Sequence, residues 1–162
     1  MPTRYRPAAL AADIDKLDHA CGGLLPQDYK DFLRRHNGLA VVSPGYCQLP
    51  FQKVDDGEIA FANLFGVELG KSPMDIGAFN REFISEIAVV GKVLAIGDDG
   101  GDNPYVLRLD QAPGTVLYWD RTHLHRADRS QVDIPEQDDC GNLYEVCGSF
   151  TDLLALIERH AT

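Results

Sequence analysis

The residues best able to do chemistry gather in the second half of this chain. Asp98-Asp99-Gly100-Gly101-Asp102-Asn103 places three carboxylates within six residues, a donor set that suits a hard cation. The segment lacks the ligand, glycine and glutamate series of an EF-hand loop, and Gly and Asp are also the residues a tight turn requires. We read it as a turn whose carboxylates face a partner. His123-Leu124-His125 could set two imidazoles on one side of an extended segment, with Asp120 or Asp128 completing a metal site. The segment is polar loop, so the sequence favours a solvated pair. Asp110 and Asp120 fall at what look like adjacent strand ends and are the candidate acid/base pair, while Cys47, Cys140 or Cys147 with a histidine would be the candidate nucleophile. No GxGxxG, P-loop or HExxH pattern occurs. The expectation is therefore no catalytic residue, no metal and no cofactor.

Charge points elsewhere. The formal net charge is -10, and it is unevenly spread. Residues 1–40 carry five acids and six bases, whereas residues 95–140 carry ten acids and four bases. A field of that sign repels nucleic acid and anionic membrane and steers a cationic protein toward the second half. The expected partner-contact surface is Asp98, Asp99, Asp102, Tyr118, Asp120, Asp128, Asp133, Glu136, Asp138 and Asp139. Tyr118 enters it by alternation. Trp119 shares its parity with Leu117 and reads as core, which leaves Tyr118 as the exposed aromatic.

A chain of 162 residues is one ordinary domain, 1–162, long enough to bury a core without a staple. No apolar run approaches a membrane span, and the amino terminus lacks a signal peptide's apolar segment, so the expected location is the cytoplasm. The four cysteines form no CxxC pair and read as reduced thiols, Cys21 continuing a core stripe of Leu10, Ile14 and Leu17.

The elements that must position these residues are legible in part. A first helix is expected over 8–21, ended by Gly22-Gly23, and a second after Pro26, where Tyr29, Phe32, Leu33 and His36 form the buried stripe and Asn37-Gly38 the left-handed stop. Both precede any predicted strand. Short strands are expected over 45–51 and 59–65, around an Asp55-Asp56-Gly57 turn. A third helix should open at Ser72, the cap, with Pro73 and Asp75 in its first turn. After Gly91 the period changes from 3.6 to 2: strands over 93–96, 105–110 and 115–120 form a meander, followed by an exposed loop over 121–142. Ser149-Phe150-Thr151-Asp152 then caps a terminal helix ending near His160. Together these predict an α+β domain, a mostly antiparallel sheet with helices packed on one side, with Tyr29, Phe32, Leu33, Phe79, Phe83, Leu107, Leu109, Leu153 and Ile157 in one core.

Leu25-Pro26-x-x-Tyr29-x-x-Phe32-Leu33-x-x-x-Asn37-Gly38 resembles the signature of the SUKH superfamily, which includes the fungal Smi/Knr cell-wall regulators and many bacterial immunity proteins. Leu64-Phe65-Gly66, the stretch 94–102 with its Gly-Asp turn, the strand 106–110, Gly114-Thr115-Val116-Leu117-Tyr118-Trp119-Asp120 and the closing Ser149-Phe150 with Leu153-Leu154 are similar to later pieces of the pattern, in its order. The chain departs from it over 121–131, where the continuation after Trp-Asp is missing, and in the acidic insert that follows. The resemblance implies a SUKH-like fold and a binding module without catalytic residues, whose bacterial members neutralise a secreted polymorphic toxin, often a nuclease or deaminase. The expected function is thus an immunity protein that blocks the basic active cleft of a cognate toxin by stoichiometric binding. A Smi/Knr-like regulatory adaptor for endogenous proteins is the alternative, and a small metal-dependent hydrolase using the Asp and His residues of the second half is a minor one.

Overall fold

The computed structural model describes residues 1–126 and 128–162. Seven strands form one sheet in the order β1-β2-β5-β6-β7-β8-β9, every neighbouring pair antiparallel. They are β1 (Thr3–Tyr5), β2 (Leu39–Val41), β5 (Asn63–Leu64), β6 (Val93–Asp98), β7 (Pro104–Arg108), β8 (Val116–Asp120) and β9 (Asn142–Cys147). A separate hairpin joins β3 (Gln48–Pro50) to β4 (Glu58–Ala60). The helices are α1 (Ala11–Ala20), α2 (Gln27–Arg35), α3 (Ile76–Phe83), which continues into a 3₁₀ segment (Ile84–Val90), and α4 (Phe150–His160). The expected α+β class and antiparallel sheet stand. No helix among the described residues is long and apolar enough to cross a membrane.

The amphipathic stripes do what their spacing dictates. Tyr29, Phe32 and Leu33 of α2 are buried against α4, with the Phe150 ring 5.0 Å from Tyr29 and 5.1 Å from Phe32. Ser149 caps α4 by accepting from the Asp152 N–H at 3.1 Å. Of the nine expected core residues seven are buried, and Phe79 and Phe83 lie half-buried against the same cluster.

Local signals misplace some boundaries. β1 precedes both helices, an edge strand paired with β2 that a three-residue segment cannot announce by periodicity. Leu10 is the residue before α1 and is 70% exposed, so the buried stripe of that helix starts at Ile14. The cap of α3 is Asp75, not Ser72. The Asp75 carboxylate accepts from the Ala78 N–H at 3.0 Å and the Leu69 N–H at 2.8 Å, while Gly66 bridges the backbone on both sides of Asp75 and keeps it extended. Asn37-Gly38 is likewise not the stop of α2, which ends at Arg35 with His36 already extended. The Asn37 side chain instead brackets Val67, accepting from its N–H at 2.8 Å and donating to its carbonyl at 2.9 Å. Gly66 lies so close that a Cβ there would strike the Asn37 carbonyl. The Asn-Gly and Leu-Phe-Gly motifs are thus two halves of one contact. Gly97 is similarly fixed, because β5 crosses it and a Cβ would meet the Asn63 carbonyl.

The meander is buried on both faces, which alternation alone does not predict. Tyr105, Tyr118 and Tyr144 are register partners and form one row. The β3–β4 hairpin and its loop cover that row: the Phe61 ring is 5.7 Å from Tyr105, the Phe51 ring is 6.0 Å from Tyr144, and the Tyr105 hydroxyl donates to the Ala60 carbonyl at 2.6 Å. Trp119, paired with Leu143 on the opposite face, is fully buried and donates its indole N–H to the Cys140 carbonyl at 2.8 Å. The Arg121 guanidinium lies 4.1 Å over the Phe83 ring and forms two hydrogen bonds to Glu86, both 3.1 Å, tying the 3₁₀ segment to this side.

Candidate functional site

The candidate partner-binding residues meet at one end of the sheet, where β6 and β8 finish and β7 and β9 begin. Antiparallel pairing makes this inevitable: the β6–β7 turn, the segment after β8 and the approach to β9 must share an edge. Asp99 organises the turn. Its carboxylate accepts from the Gly101 N–H at 2.7 Å, the Asn103 N–H at 3.1 Å, the Asn103 amide at 2.9 Å and the Tyr118 hydroxyl at 3.1 Å. The Asn103 side-chain oxygen Oδ1 in turn accepts from the Thr122 N–H and hydroxyl at 2.8 and 3.0 Å, so the turn carries the loop after β8. Asp98 is half-buried and binds the Asn63 amide at 2.8 Å; burial raises its carboxyl pKa.

Tyr118 and Asp120 correct the expectation of direct contact. Tyr118 is 0% and Asp120 2% exposed. Tyr118 is covered because its face carries the hairpin, its ring 5.5 Å from Tyr105 and 5.9 Å from His125. Asp120 accepts from the Leu124 N–H at 2.8 Å and the His125 N–H at 3.0 Å, turning the chain back over the sheet edge. Both residues hold the rim from beneath.

The loop over 121–141 is built by its carboxylates rather than merely decorated by them. Asp128 accepts from the Ser130 N–H and hydroxyl, and Asp133 accepts from the Glu145 N–H at 2.7 Å and the Lys53 ammonium at 2.8 Å. Glu136 accepts from the Gly141 N–H at 2.9 Å and pairs with His123 Nε2 at 2.7 Å. Of the expected contact residues, Asp102, Asp138 and Asp139 are the exposed carboxylates that close none of these turns, and all three have positive φ (67°, 53° and 60°), a region aspartate tolerates better than most residues.

Sequence reasoning did not place two further carboxylates at this edge. Asp55 and Asp56 read only as turn formers, yet Asp55 lies 3.3 Å and Asp56 3.7 Å from the Nδ1 of His125, a side chain only 4% exposed. They come from the β3–β4 hairpin loop, and no local signal could join them to residues 70 positions later. The backbone hydrogen bond from Arg126 leads the causes that hold the Asp55 carboxyl below its ordinary value.

The histidine pair does not converge. His123 turns to Glu136 and Asp139, His125 to Asp55 and Asp56. The positive φ of His123 (56°) breaks the extended alternation that would have aligned them. Each set, one imidazole with two carboxylates, has donor atoms within 4.8 Å of one another. The Asp110 and Asp120 pair is also separated, because β7 and β8 run in opposite directions and their last residues lie at opposite ends of the sheet. Asp110 accepts from the Lys92 and Gln111 N–H groups instead. Burial pushes the thiols of Cys21, Cys47 and Cys147 up to about 11, so they stay protonated at neutral pH and are poor nucleophiles.

The His123–Glu136 pair gives a pH signature. The hydrogen bond to Glu136 raises the His123 pKa, and the same bond lowers that of Glu136. A raised imidazole pKa contributes stability fully present below its unfolded value and lost as pH rises through the folded one. A lowered carboxyl pKa contributes stability present above its unfolded value and lost as pH falls through the folded one. The loop is therefore tightest between the ordinary Glu and His values, roughly pH 4.5 to 6.5. The protection factor of the Gly141 amide, which donates to the Glu136 carboxylate, is expected to peak in that window and to fall above it once the intrinsic pH dependence of exchange is divided out. Protection that is flat or rises toward pH 8 would remove the pair as the loop's clasp.

At this end, then, three segments distant in sequence present outward carboxylates on a framework of hydrogen-bonded turns. No curated protein sequence matches the chain. The sequence profile of the SMI1 / KNR4 family (SUKH-1) does match, over residues 8–156, from the approach to α1 to the middle of α4, and the chain belongs to that family.

Proposed function

We propose that this chain is an immunity protein that binds a cognate polymorphic toxin in the cytoplasm and blocks its basic active cleft one to one, without turnover. The observation that carries the reading is the convergence of outward carboxylates from the 55–57 loop, the β6–β7 turn and the 121–141 loop on one sheet edge. Family membership supports a protein-binding role. A chain of polar contacts from Asp99 through the buried Tyr118 and the covered His125 ring to the exposed Asp55 links the three segments, with a Tyr118 hydroxyl to His125 Nε2 distance of 3.5 Å. It keeps the rim in place before the partner arrives, which lowers the ordering cost of association. An acidic, preorganised rim suits a cleft that binds polyanions, because the same positive field that gathers nucleic acid gathers these carboxylates.

The test is to identify a candidate toxin domain and titrate its activity with the chain. Inhibition should be complete at one equivalent and insensitive to chelator. Inhibition that continues to deepen with time at a small fraction of an equivalent would mean that the chain destroys toxin or product catalytically. Stable complexes with endogenous proteins, and none with the toxin, would move the chain to the regulatory-adaptor role.

A further inference from the structure

At the opposite end of β6 and β7 from the acidic rim lies a cavity of about 540 Å³ between α1, α3 with its 3₁₀ continuation, and the sheet. Its walls are apolar: Leu17 and Cys21 from α1, Ile76 and Ile84 from the α3 side, Leu94 and Leu109 from the strands. Two cations stand at it, Arg81 and Lys92, neither in an ion pair among the described residues, in a chain of net charge -10. Asp110, at the same edge, directs its carboxylate to backbone N–H groups and also lies within electrostatic reach of Lys92 without forming an ion pair with it. Gly77 places one of the cations. A Cβ there would sit 2.8 Å from Arg81 Nη1, so the guanidinium folds back over a helix position kept bare, although glycine inside a helix is the less stable choice.

We propose that this cavity is a binding site for a single-chain amphiphile with an anionic head, of the class of a medium-chain alkyl carboxylate. The volume lies within the range of small-ligand sites, and an apolar wall with a few convergent charged groups is their usual make-up. The tail occupies the space between Leu17, Ile84 and Leu94, and the head meets Arg81 and Lys92. A peptide segment fits this wall poorly. Its backbone polar groups need partners, and the Asn80 amide beside the cavity is committed to the Ile76 and Ala95 backbone at 2.8 to 2.9 Å. The proposal is independent of the toxin, since the cavity shares no residue with the acidic rim.

Calorimetric titration of the full chain with decanoate, below its micelle concentration, tests it. Decanoate should bind one to one and raise the melting temperature, with decyltrimethylammonium about tenfold weaker or worse, as expected when a favourable charge contact is replaced by a repulsive one. Arg81→Gln with Lys92→Gln should weaken decanoate about tenfold and leave decanol unchanged. Gly77→Ala should weaken decanoate by pushing the Arg81 guanidinium aside; its Cβ would also lie 3.1 Å from the Asp75 cap oxygen, so the variant's melting curve is measured beside its binding. Ala88→Trp, at an exposed lining position, should block both. No binding of decanoate, equal affinity for the cationic amphiphile, or binding untouched by Ala88→Trp would each overturn the site. So would a synthetic amphipathic helix of Leu, Ala and Glu binding where decanoate does not, since that assigns the groove to a protein.

Discussion

Phe32→Ala is expected to lower the unfolding free energy by about 3 to 5 kcal/mol, the range for deleting a buried aromatic ring. Phe32 is fully buried, 5.1 Å from the Phe150 ring and 6.0 Å from the His36 ring. It joins α2 to α4, two elements that share no strand pairing. The Asp28 carboxylate on α2 also accepts from the Thr151 N–H and hydroxyl at 3.0 and 2.9 Å, but these bonds are exposed and cannot hold the helices together once the ring is gone. A domain of this size has roughly 5 to 15 kcal/mol to lose, so the variant should stand near the edge of folding at 37 °C. Urea unfolding of wild type, Phe32→Leu and Phe32→Ala measures it. A loss below about 1 kcal/mol for the alanine variant would show that α2 is not fastened through this ring.

Exchanging the outward carboxylates should instead leave stability alone and slow capture of the partner. Asp56, Asp102, Asp138 and Asp139 are exposed, and none closes a turn by accepting a backbone hydrogen bond. Asparagine is the right replacement, because it tolerates the positive φ of the last three as aspartate does. With all four neutralised, association at low salt is expected to fall by about tenfold or more, and its salt dependence to flatten, while dissociation changes little. Stopped-flow association with the proposed toxin partner across ionic strength reads both. Asp99 is the contrasting position. Its four hydrogen-bond donors would be orphaned by Asp99→Ala, for an expected loss of about 1 to 3 kcal/mol and a loosened rim. Unchanged association in the fourfold variant would return these carboxylates to a solubility role.

What the sequence determined by itself was whatever acts within one or two turns of chain. The Tyr29, Phe32, Leu33 stripe, the Ser149 cap and the Gly-Asp turn after β6 need only their neighbours to be legible, and each is where its chemistry demands. The ordered motifs also carried the family, because their spacing survives in linear form. Tertiary structure decided everything that depends on what arrives from a distance. Tyr118 is buried because a hairpin some 60 residues earlier in the chain lies on its face. His123 and His125 part because different loops offer each its carboxylates, and Asp110 and Asp120 part because antiparallel strands end in opposite directions. Asn37-Gly38 looks like a helix stop and is a clamp on Val67, since the backbone it must satisfy lies 30 residues away. Periodicity specifies which face of an element is apolar. It does not say what covers that face, and at this protein's acidic edge the covering segments are what bring the carboxylates together.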